Sequence, residues 1–268
     1  MFSALVLTYN EENILPRCLE ALNFVDEIIV LDSYSTDKTV EIARKFKAKV
    51  IQRKFDNYAT QRNAGLNQIN PKSKWILMVD ADEIVTKELK QEIIEVVNTG
   101  SETSMYRVRR KDMFQGKWLK YSSGYPTWFP RLFKYGEVTV EREINEEYNT
   151  QGEISNLNSH LLHYPFNKGI NFWFEKHNLY SKLESEKMRI EINEPLQFSM
   201  IFSSDSVTRR KFFKRFSYNL PFRPQIVFLI FFIIRKGFLD GYSGYTFCRM
   251  RKVYESMIDI KFKIKKEI

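Results

Sequence analysis

The first hundred residues alternate between short apolar stretches with strand character and stretches in which apolar residues recur at helical spacing. Strand-like runs lie at residues 4–8, 27–31, 49–52 and 75–79, and the helical spacing is clearest at residues 86–98. Strands that alternate with helices are typical of a mostly parallel sheet with helices on both faces. The sequence therefore predicts an α/β fold with a mostly parallel central sheet.

Polar clusters follow three of these apolar runs. They are Thr8-Tyr9-Asn10-Glu11, Asp32-Ser33-Tyr34-Ser35 and Asp80-Ala81-Asp82-Glu83. In open α/β sheets, ligands bind beyond the carboxyl ends of the strands. A packed core does not require acidic residues at these points, so we predict that the strand ends together form a binding site.

The pair Asp80 and Asp82 is the most informative of these features. Two carboxylates one residue apart can share a hard divalent cation, and Mg²⁺ and Mn²⁺ prefer oxygen ligands while keeping positions open for phosphates. A solvated acidic turn is the alternative interpretation, because two aspartates this close are common by chance. Their position after an apolar strand favours a Mg²⁺ or Mn²⁺ site at Asp82 and Asp80.

Three other polar residues are ambiguous when each is taken alone. Asp32 directly follows an apolar strand and is placed to accept hydrogen bonds from a nucleobase or ribose, or to cap a loop. Tyr9 is suited either to stacking on a base or to packing. Arg62 lies on a predicted helix, where it either reaches a phosphate or remains a surface residue.

The net charge of +9 comes entirely from the C-terminal quarter of the chain. Residues 205–268 hold 15 Lys+Arg and 5 Asp+Glu, a net charge of +10. Residues 1–204 hold the other 27 Lys+Arg and 28 Asp+Glu, a net charge of −1. A uniformly basic coat for nucleic acid is therefore disfavoured. The distribution indicates a nearly neutral domain followed by a basic extension.

The basic extension combines cations with apolar side chains. Residues 209–216 interleave cations with aromatic rings, and the longest apolar run follows at residues 226–234, nine residues, against about 20 for a spanning helix. Such a segment can lie on an anionic bilayer. Single-stranded nucleic acid would leave the apolar run without a role, and a helical layer packed on the preceding domain is the other alternative. We favour membrane association and no nucleic acid binding.

In order and spacing, the motifs together resemble glycosyltransferase family 2. The resemblance rests on residues 8–12, 32–37, 62–65 and 80–83. Further segments resemble the branch that builds lipopolysaccharide core and related surface glycans, namely residues 131–134, 143–146, 163–164, 176–181 and 235–241. The resemblance covers nearly the whole chain. It implies the GT-A fold, a Rossmann-like fold of nucleotide-diphospho-sugar transferases, with a helical, membrane-associating extension at the C-terminus.

The resemblance also implies roles for individual residues. The residues expected to hold the nucleobase are Thr8, Tyr9, Asn10, Glu11 and Asp32. Asp80 is expected near the ribose and diphosphate, Asp82 on the metal, and Arg62 beside the donor. His163 and His177 match motif positions and are expected on the acceptor or diphosphate side.

The expected general base is Glu146. In this branch a His-Glu pair usually precedes a short strand, and its Glu resembles the base; here the pair is Asn145-Glu146, so the imidazole is missing. Transfer with inversion needs a base that removes the acceptor hydroxyl proton. Like charges in the surrounding acidic run could raise the pKa of Glu146, and Glu143 and Glu147 remain alternatives.

The resemblance thus implies an inverting, metal-dependent glycosyltransferase. It would transfer a hexose or related sugar from a nucleotide-sugar, with UDP expected, to a glycan or lipid-linked acceptor in cell-surface polysaccharide or lipopolysaccharide biosynthesis. It is expected in the cytoplasm, peripherally on the inner face of the cell membrane. The predicted domains are residues 1–204, with a nucleotide-binding half at 1–100 and an acceptor-side half at 101–204, and the extension at 205–268.

Two functions from other classes remain as alternatives. A nucleotidyltransferase on a similar sheet would need a Gly-rich phosphate loop near the first strand, and the sequence lacks one. A non-catalytic membrane-bound adaptor would not need Asp80, Asp82 and Glu146, which are all present.

Overall fold

The computed structural model of the chain describes residues 1–70, 72–100, 102–141, 147–203 and 206–264, without the side chains of residues 206, 207, 210 and 211. The chain divides into two compact units. The sheet unit comprises residues 1–114 and 125–167, and the helical unit comprises residues 115–124 and 168–268. Each unit is built from two separate stretches of the chain.

The sheet unit begins with the predicted alternation of strands and helices. Its elements up to residue 98 are β1 (Phe2–Thr8), α1 (Leu15–Ala21), β2 (Glu27–Asp32), α2 (Thr39–Lys45), β3 (Lys49–Gln52), α3 (Tyr58–Leu66), β4 (Trp75–Asp80), β5 (Glu83–Val85) and α4 (Lys87–Asn98). Its remaining elements are strands, namely β6 (Thr103–Phe114), β8 (Trp128–Lys134), β9 (Thr139–Glu141), β10 (Glu147–Asn149) and β11 (Glu153–His163). The short strand β7 (Lys117–Trp118) belongs to the helical unit.

The strands of the sheet unit form one large mixed sheet and a small hairpin. The order in the large sheet is β3-β2-β1-β4-β8-β6-β11-β5. The neighbouring strands β3, β2, β1 and β4 run parallel to one another, and so do β6 and β11. β8 is antiparallel to both of its neighbours, and β5 is antiparallel to β11. β9 and β10 form the separate antiparallel hairpin. The predicted α/β fold with a mostly parallel sheet is confirmed.

Helices cover both faces of this sheet. Side chains alternate between the faces along a strand, and the two apolar clusters divide β1 in this way: one contains Val6 and the other contains Leu5. The first cluster also includes Leu19 of α1 and Leu89 of α4, and the second is extended by Leu66 of α3. The alternation of the sequence thus produces a three-layer unit.

The helical unit holds the C-terminal extension. Its helices are α5 (Gly169–Glu191), α6 (Ser206–Phe216), α7 (Arg223–Leu229) and α8 (Gly241–Lys263), with 3₁₀ turns at Phe198–Phe202, Ser217–Asn219 and Gly237–Asp240 and a π-helical segment at Ile230–Ile234. A small core of Met188, Tyr218 and Ile258 joins α5, the turn after α6, and α8. The extension is therefore helical, as predicted.

The apolar run in this unit is not buried. None of residues 226–234 is buried, and several are exposed. Among the residues that the structure describes, no helix is both long and apolar enough to cross a bilayer.

Candidate active site

Three strand ends meet at one edge of the parallel half of the sheet. β1 lies between β2 and β4, and the register places Thr8 beside Asp32 and Leu7 beside Asp80. This follows from the parallel pairing, because the carboxyl ends of adjacent parallel strands share one edge. The structure therefore brings the three polar clusters of the sequence together.

Asp32 is fully buried and lies among protein hydrogen-bond donors. Its carboxylate accepts bonds from Thr8 Oγ1 at 3.0 Å, from Gln52 Nε2 at 3.0 Å and from the Ser35 amide at 2.9 Å, with a further bond from Ser35 Oγ. A buried carboxylate is stable only when donors surround it in this way. In the structure Asp32 fixes the loop after β2 to the ends of β1 and β3.

The loop after β1 is held by polar contacts. Asn10 has a left-handed backbone with φ 53°, which Asn adopts more readily than most residues, and its Oδ1 accepts a bond from the Thr36 amide at 2.8 Å. Glu11 Oε2 accepts a bond from Asn167 Nδ2 at 2.5 Å. Tyr9 keeps 48% of its surface exposed. A tyrosine ring held on such a loop offers an apolar face to a planar ligand.

Arg62 holds Asp80 rather than extending into solvent. Asn57 accepts a bond from the Thr60 amide at 2.8 Å and so begins α3, which carries Arg62. Arg62 is 5% exposed and its Nη2 lies 3.0 Å from Asp80 Oδ1. Burial of Asp80 opposes its ionisation, but the charges of Arg62 and Arg131 prevail and lower the pKa of its carboxyl.

A second buried arginine joins Asp80 to Glu83. Arg131 on β8 donates to both carboxylate oxygens of Glu83, each at 2.8 Å, and to Asp80 Oδ2 at 3.0 Å. Glu83 is fully buried, and Arg131 is 2% exposed. Bidentate arginine–carboxylate pairs have fixed geometry. Arg131 therefore sets the orientation of the turn that carries Asp82.

His163 lies between two carboxylates. Its Nε2 is 3.4 Å from Asp82 Oδ2, and its Nδ1 is 2.7 Å from Asp112 Oδ1. Burial and the charge of Arg110 lower the pKa of His163, but Asp82 and Asp112 outweigh them and raise it to about 9. Burial raises the pKa of Asp82, yet His163 lowers it overall. The structure thus places His163, one of the two predicted histidines, beside the predicted metal ligand.

His177 belongs to the helical unit. It stacks on Trp173 with ring centroids 3.7 Å apart, meets Tyr254 edge-on at 5.0 Å, and donates from Nδ1 to the Trp173 carbonyl at 2.8 Å. Burial lowers its pKa to about 4. In the structure His177 packs as a neutral aromatic ring between α5 and α8.

The predicted base and its first alternative are not part of the described structure. Glu146 and Glu143 lie outside the described residues. Glu147 is exposed at the start of β10, where it pairs in register with Glu141 of β9. The hairpin of β9 and β10 is held to α3, because Asn63 exchanges two hydrogen bonds with the backbone of Val140, at 2.7 and 3.0 Å.

Residues 3–157, more than half of the chain, match the sequence model of Glycosyl transferase family 2. The chain belongs to this family. Curated relatives include an uncharacterized glycosyltransferase of Rickettsia felis, 26% identical over 97% of this chain and 91% of the relative. The lipopolysaccharide core biosynthesis glycosyltransferase LpsC of Rhizobium meliloti is 24% identical over 94% of this chain and 92% of the relative. The predicted family and the assignment as a glycosyltransferase are confirmed.

Solved structures with likeness to this chain include S. aureus TarS and a glucosyl-3-phosphoglycerate synthase. A fragment of S. aureus TarS matches with a TM-score of 0.45 and 17% identity, over 97% of this chain and 88% of that chain. Glucosyl-3-phosphoglycerate synthase from Mycobacterium tuberculosis, in complex with Mn²⁺, uridine diphosphate and glucosyl-3-phosphoglycerate, matches with a TM-score of 0.35 and 22% identity, over 43% and 44% of the two chains.

Sequence reasoning gave no role to Glu83, Arg110, Asp112 or Arg131, which complete the ion-pair network of this glycosyltransferase. Arg110 links two of its carboxylates, with Nη1 3.5 Å from Glu83 Oε1 and Nε 3.2 Å from Asp112 Oδ1. One signal was available for Arg131, because it interrupts the apolar stretch 128–133 and a buried cation there needs a partner. Asp112 carries no comparable local signal.

The donor set around Asp82 fits a divalent cation. Among the described residues no group of three or more His, Cys, Asp or Glu side chains is arranged for a metal, but Asp82 and His163 Nε2 already face one another, and Asp82 keeps 22% of its side chain exposed. A metal-binding imidazole is commonly oriented by a carboxylate on its other ring nitrogen, and Asp112 lies in that position beside Nδ1 of His163. The oxygens of Asp80 are instead taken by the two arginines.

Proposed function

We propose that this family 2 glycosyltransferase is metal-dependent and inverting, and that it transfers a sugar from a UDP-type nucleotide-sugar to a glycan or lipid-linked acceptor in surface polysaccharide or lipopolysaccharide biosynthesis. The observation that carries the proposal is the Asp82–His163–Asp112 arrangement beside the ends of β1, β2 and β4. The similarity to LpsC, over nearly the full length of both chains, supports the class of acceptor.

The strand-end loops are suited to the nucleoside half of the donor. Tyr9 offers an exposed ring for the base, and Asn10 and Glu11 are held in place by their own hydrogen bonds. Asp32 orders these loops by fixing Thr8 and Ser35. A binding site whose polar groups are ordered before binding loses less conformational entropy when the ligand arrives.

The metal would be held by Asp82 and His163, with phosphate oxygens of the donor completing its coordination. When bound, a divalent cation neutralises the charge that develops on the leaving diphosphate. Arg62 and Arg131 keep Asp80 ionised and hold it beside the metal ligands, where the ribose and diphosphate are expected. His163 must lose its Nε2 proton to bind a metal, and its Nδ1 then keeps its proton and donates it in a hydrogen bond to the Asp112 carboxylate.

Glu146 remains the proposed base. It immediately precedes β10, and the β9–β10 hairpin is fastened to α3 by Asn63, next to the arginine that holds Asp80. This contact supports the proposal, because it holds the hairpin, whose two strands flank residues 142–146 in the sequence, to α3. The base would take the proton of the acceptor hydroxyl as that oxygen attacks the anomeric carbon from the face opposite the diphosphate.

We further propose that the protein works at the inner face of the cell membrane, with residues 205–268 against the bilayer. The surplus of +10 in that segment and its exposed apolar run support this location. A lipid-linked acceptor would then be presented at the surface to which the enzyme is bound.

A panel of nucleotide-sugars, scored for transfer or hydrolysis with Mg²⁺, with Mn²⁺ and with chelator, tests the chemistry. Asp82→Asn should reduce metal-dependent turnover by more than about 100-fold, since loss of an outer partner alone costs about 10–100-fold. Asp259→Asn is the matched control, because Asp259 has a similarly exposed side chain but pairs with Lys263 on α8. A turnover rate that is unchanged both by chelator and by Asp82→Asn would refute the metal assignment.

A further inference from the structure

The helical unit carries an exposed apolar tip at the bend between α7 and α8. The π-helical segment Ile230–Ile234 and the 3₁₀ turn Gly237–Asp240 contact one another across this bend. Six large side chains there are exposed, from 37% for Ile230 to 74% for Tyr242. We call them the tip: Ile230, Ile233, Ile234, Phe238, Leu239 and Tyr242. In water such a patch is unfavourable, and contiguous exposed apolar surface usually marks an interaction site.

The bend that carries the tip is tightly built. A Cβ on Gly237 would lie 2.6 Å from the carbonyl oxygen of Phe231 in the π-helical segment. A Cβ on Gly244 of α8 would lie 2.3 Å from the Gly237 carbonyl oxygen. Glycine at both positions therefore allows the π-helical segment, the 3₁₀ turn and α8 to approach one another this closely. Asp240 accepts bonds from three successive backbone amides, ending with Ser122 at 2.8 Å. The exposed residues therefore project from a fixed platform rather than from a loose loop.

The sequence around the tip is rich in cations and poor in acids. From residue 223 to residue 254 the sequence has six Lys+Arg and one acid, Asp240, whose carboxylate is used by the backbone of residues 120–122. Arg223 is buried against Glu255. Arg235, Lys236 and Arg249 are exposed. An apolar patch with a cationic border matches the chemistry of an anionic bilayer surface, where the headgroups lie above the acyl region.

We infer that the tip inserts into the interfacial layer of an anionic bilayer, with Arg235, Lys236 and Arg249 at the level of the headgroups. This inference rests on the membrane association proposed above and assigns it to a defined surface. The sequence pattern indicated both residues 209–216 and the apolar run 226–234, and the inference narrows the contact to the tip, which includes the end of that run. On α6, Lys214 pairs with Glu184 at 2.7 Å and Arg215 donates to the Glu194 carbonyl at 2.8 Å, so these cations already serve the fold.

A second copy of the chain is a poorer occupant of the tip than lipid. A symmetric pairing would place the cationic border of one copy against that of the other, and like charges at a desolvated contact are unfavourable. A bilayer containing anionic lipid instead supplies the opposite charge and the apolar medium together. Self-association through the tip is therefore an outcome that would contradict the inference.

The test compares the full-length protein with two doubly substituted variants on phosphatidylglycerol–phosphatidylcholine vesicles, using sedimentation to obtain partition coefficients. Ile233→Ser with Ile234→Ser removes two tip residues that are 56% and 73% exposed. Ile190→Ser with Ile260→Ser is the matched control, because these isoleucines are 69% and 55% exposed but lie elsewhere on α5 and α8. Donor turnover without vesicles should be equal in all three proteins and verifies that they fold.

The tip variant should bind vesicles about 10–100-fold more weakly than the full-length parent, and the control should bind like the parent. Replacing Lys236 and Arg249 by Gln should weaken binding by about five-fold per cation and only on anionic vesicles. Equal binding of the tip variant and the parent would overturn the assignment to the tip while leaving membrane association standing. A dimer that the tip substitutions dissociate would likewise overturn the assignment to the tip, and absence of binding by the parent would overturn both the assignment and the membrane association.

Discussion

Loss of the Arg131 guanidinium should destabilise the sheet unit strongly. Arg131→Met keeps most of the side-chain volume but removes two 2.8 Å bonds to Glu83 and one 3.0 Å bond to Asp80. Glu83 has no access to solvent. Among the described residues, its carboxylate would then keep the Asp80 amide at 3.1 Å and Arg110 at 3.5 Å.

The magnitude follows from this loss of partners. Breaking a buried ion pair by removing one member costs about 3–5 kcal/mol, because a desolvated charge is left without compensation. Adding Glu83→Gln removes that charge, so the double variant should recover about 2 kcal/mol relative to the sum of the single changes. An exposed pair gives the contrast: Glu41 and Lys45 are 2.7 Å apart with side chains 57% and 69% exposed, and Glu41→Gln should leave the free energy of unfolding nearly unchanged.

Urea unfolding of the parent, the single variants and the double variant measures these free energies. Hydrogen exchange of peptides from β1 and β4 assigns the transition to the sheet unit. A cost below about 1 kcal/mol for Arg131→Met, or strict additivity with Glu83→Gln, would show that the buried network contributes little and would refute the reasoning.

Three further predictions concern the base, a pH response and a close helix contact. Glu146→Gln should abolish transfer while Glu147→Gln retains it, and the reverse result in a transfer assay would move the base to Glu147. Burial holds the pKa of His177 at about 4 against 6.5, so stability should be complete above pH 6.5 and fall by about 1–2 kcal/mol towards pH 4; acid unfolding of His177→Phe should lack this loss. Gly244→Ala should lower the midpoint of thermal unfolding, because its Cβ would lie 2.3 Å from the Gly237 carbonyl oxygen, and an unchanged midpoint would contradict the close approach.

The parallel half of the fold was predictable because its signal is local. The apolar runs at residues 27–31 and 49–52 became β2 and β3 with at most one residue of difference, and the pattern at 86–98 became α4. Strand ends follow from strand positions, so the neighbourhood of Thr8, Asp32 and Asp80 was also accessible from the sequence.

The antiparallel half and its ion pairs were not predictable, because they depend on long-range pairing. β8 inserts between β4 and β6, which brings Arg131 to Glu83 across 48 residues of sequence. β11 pairs with both β6 and β5, and its register sets His163 opposite both Asp112 and Glu83. No periodicity within a single strand specifies which strand lies beside it. A charged residue within an apolar strand indicates only that some partner exists.

The helical unit is assembled from chain segments that leave the ribosome far apart in time. The amide of Ser122 is bound by Asp240, 118 residues later, which corresponds to about 6–24 s of synthesis at about 5–20 residues per second. All strands of the sheet unit have been made by residue 163. The strands of the sheet can thus pair before residues 115–124 receive their partner, and the helical unit cannot be completed until Asp240 has been made. Any chain truncated before Asp240 leaves those amides without their acceptor, so substitutions rather than deletions are required to probe the C-terminal segment.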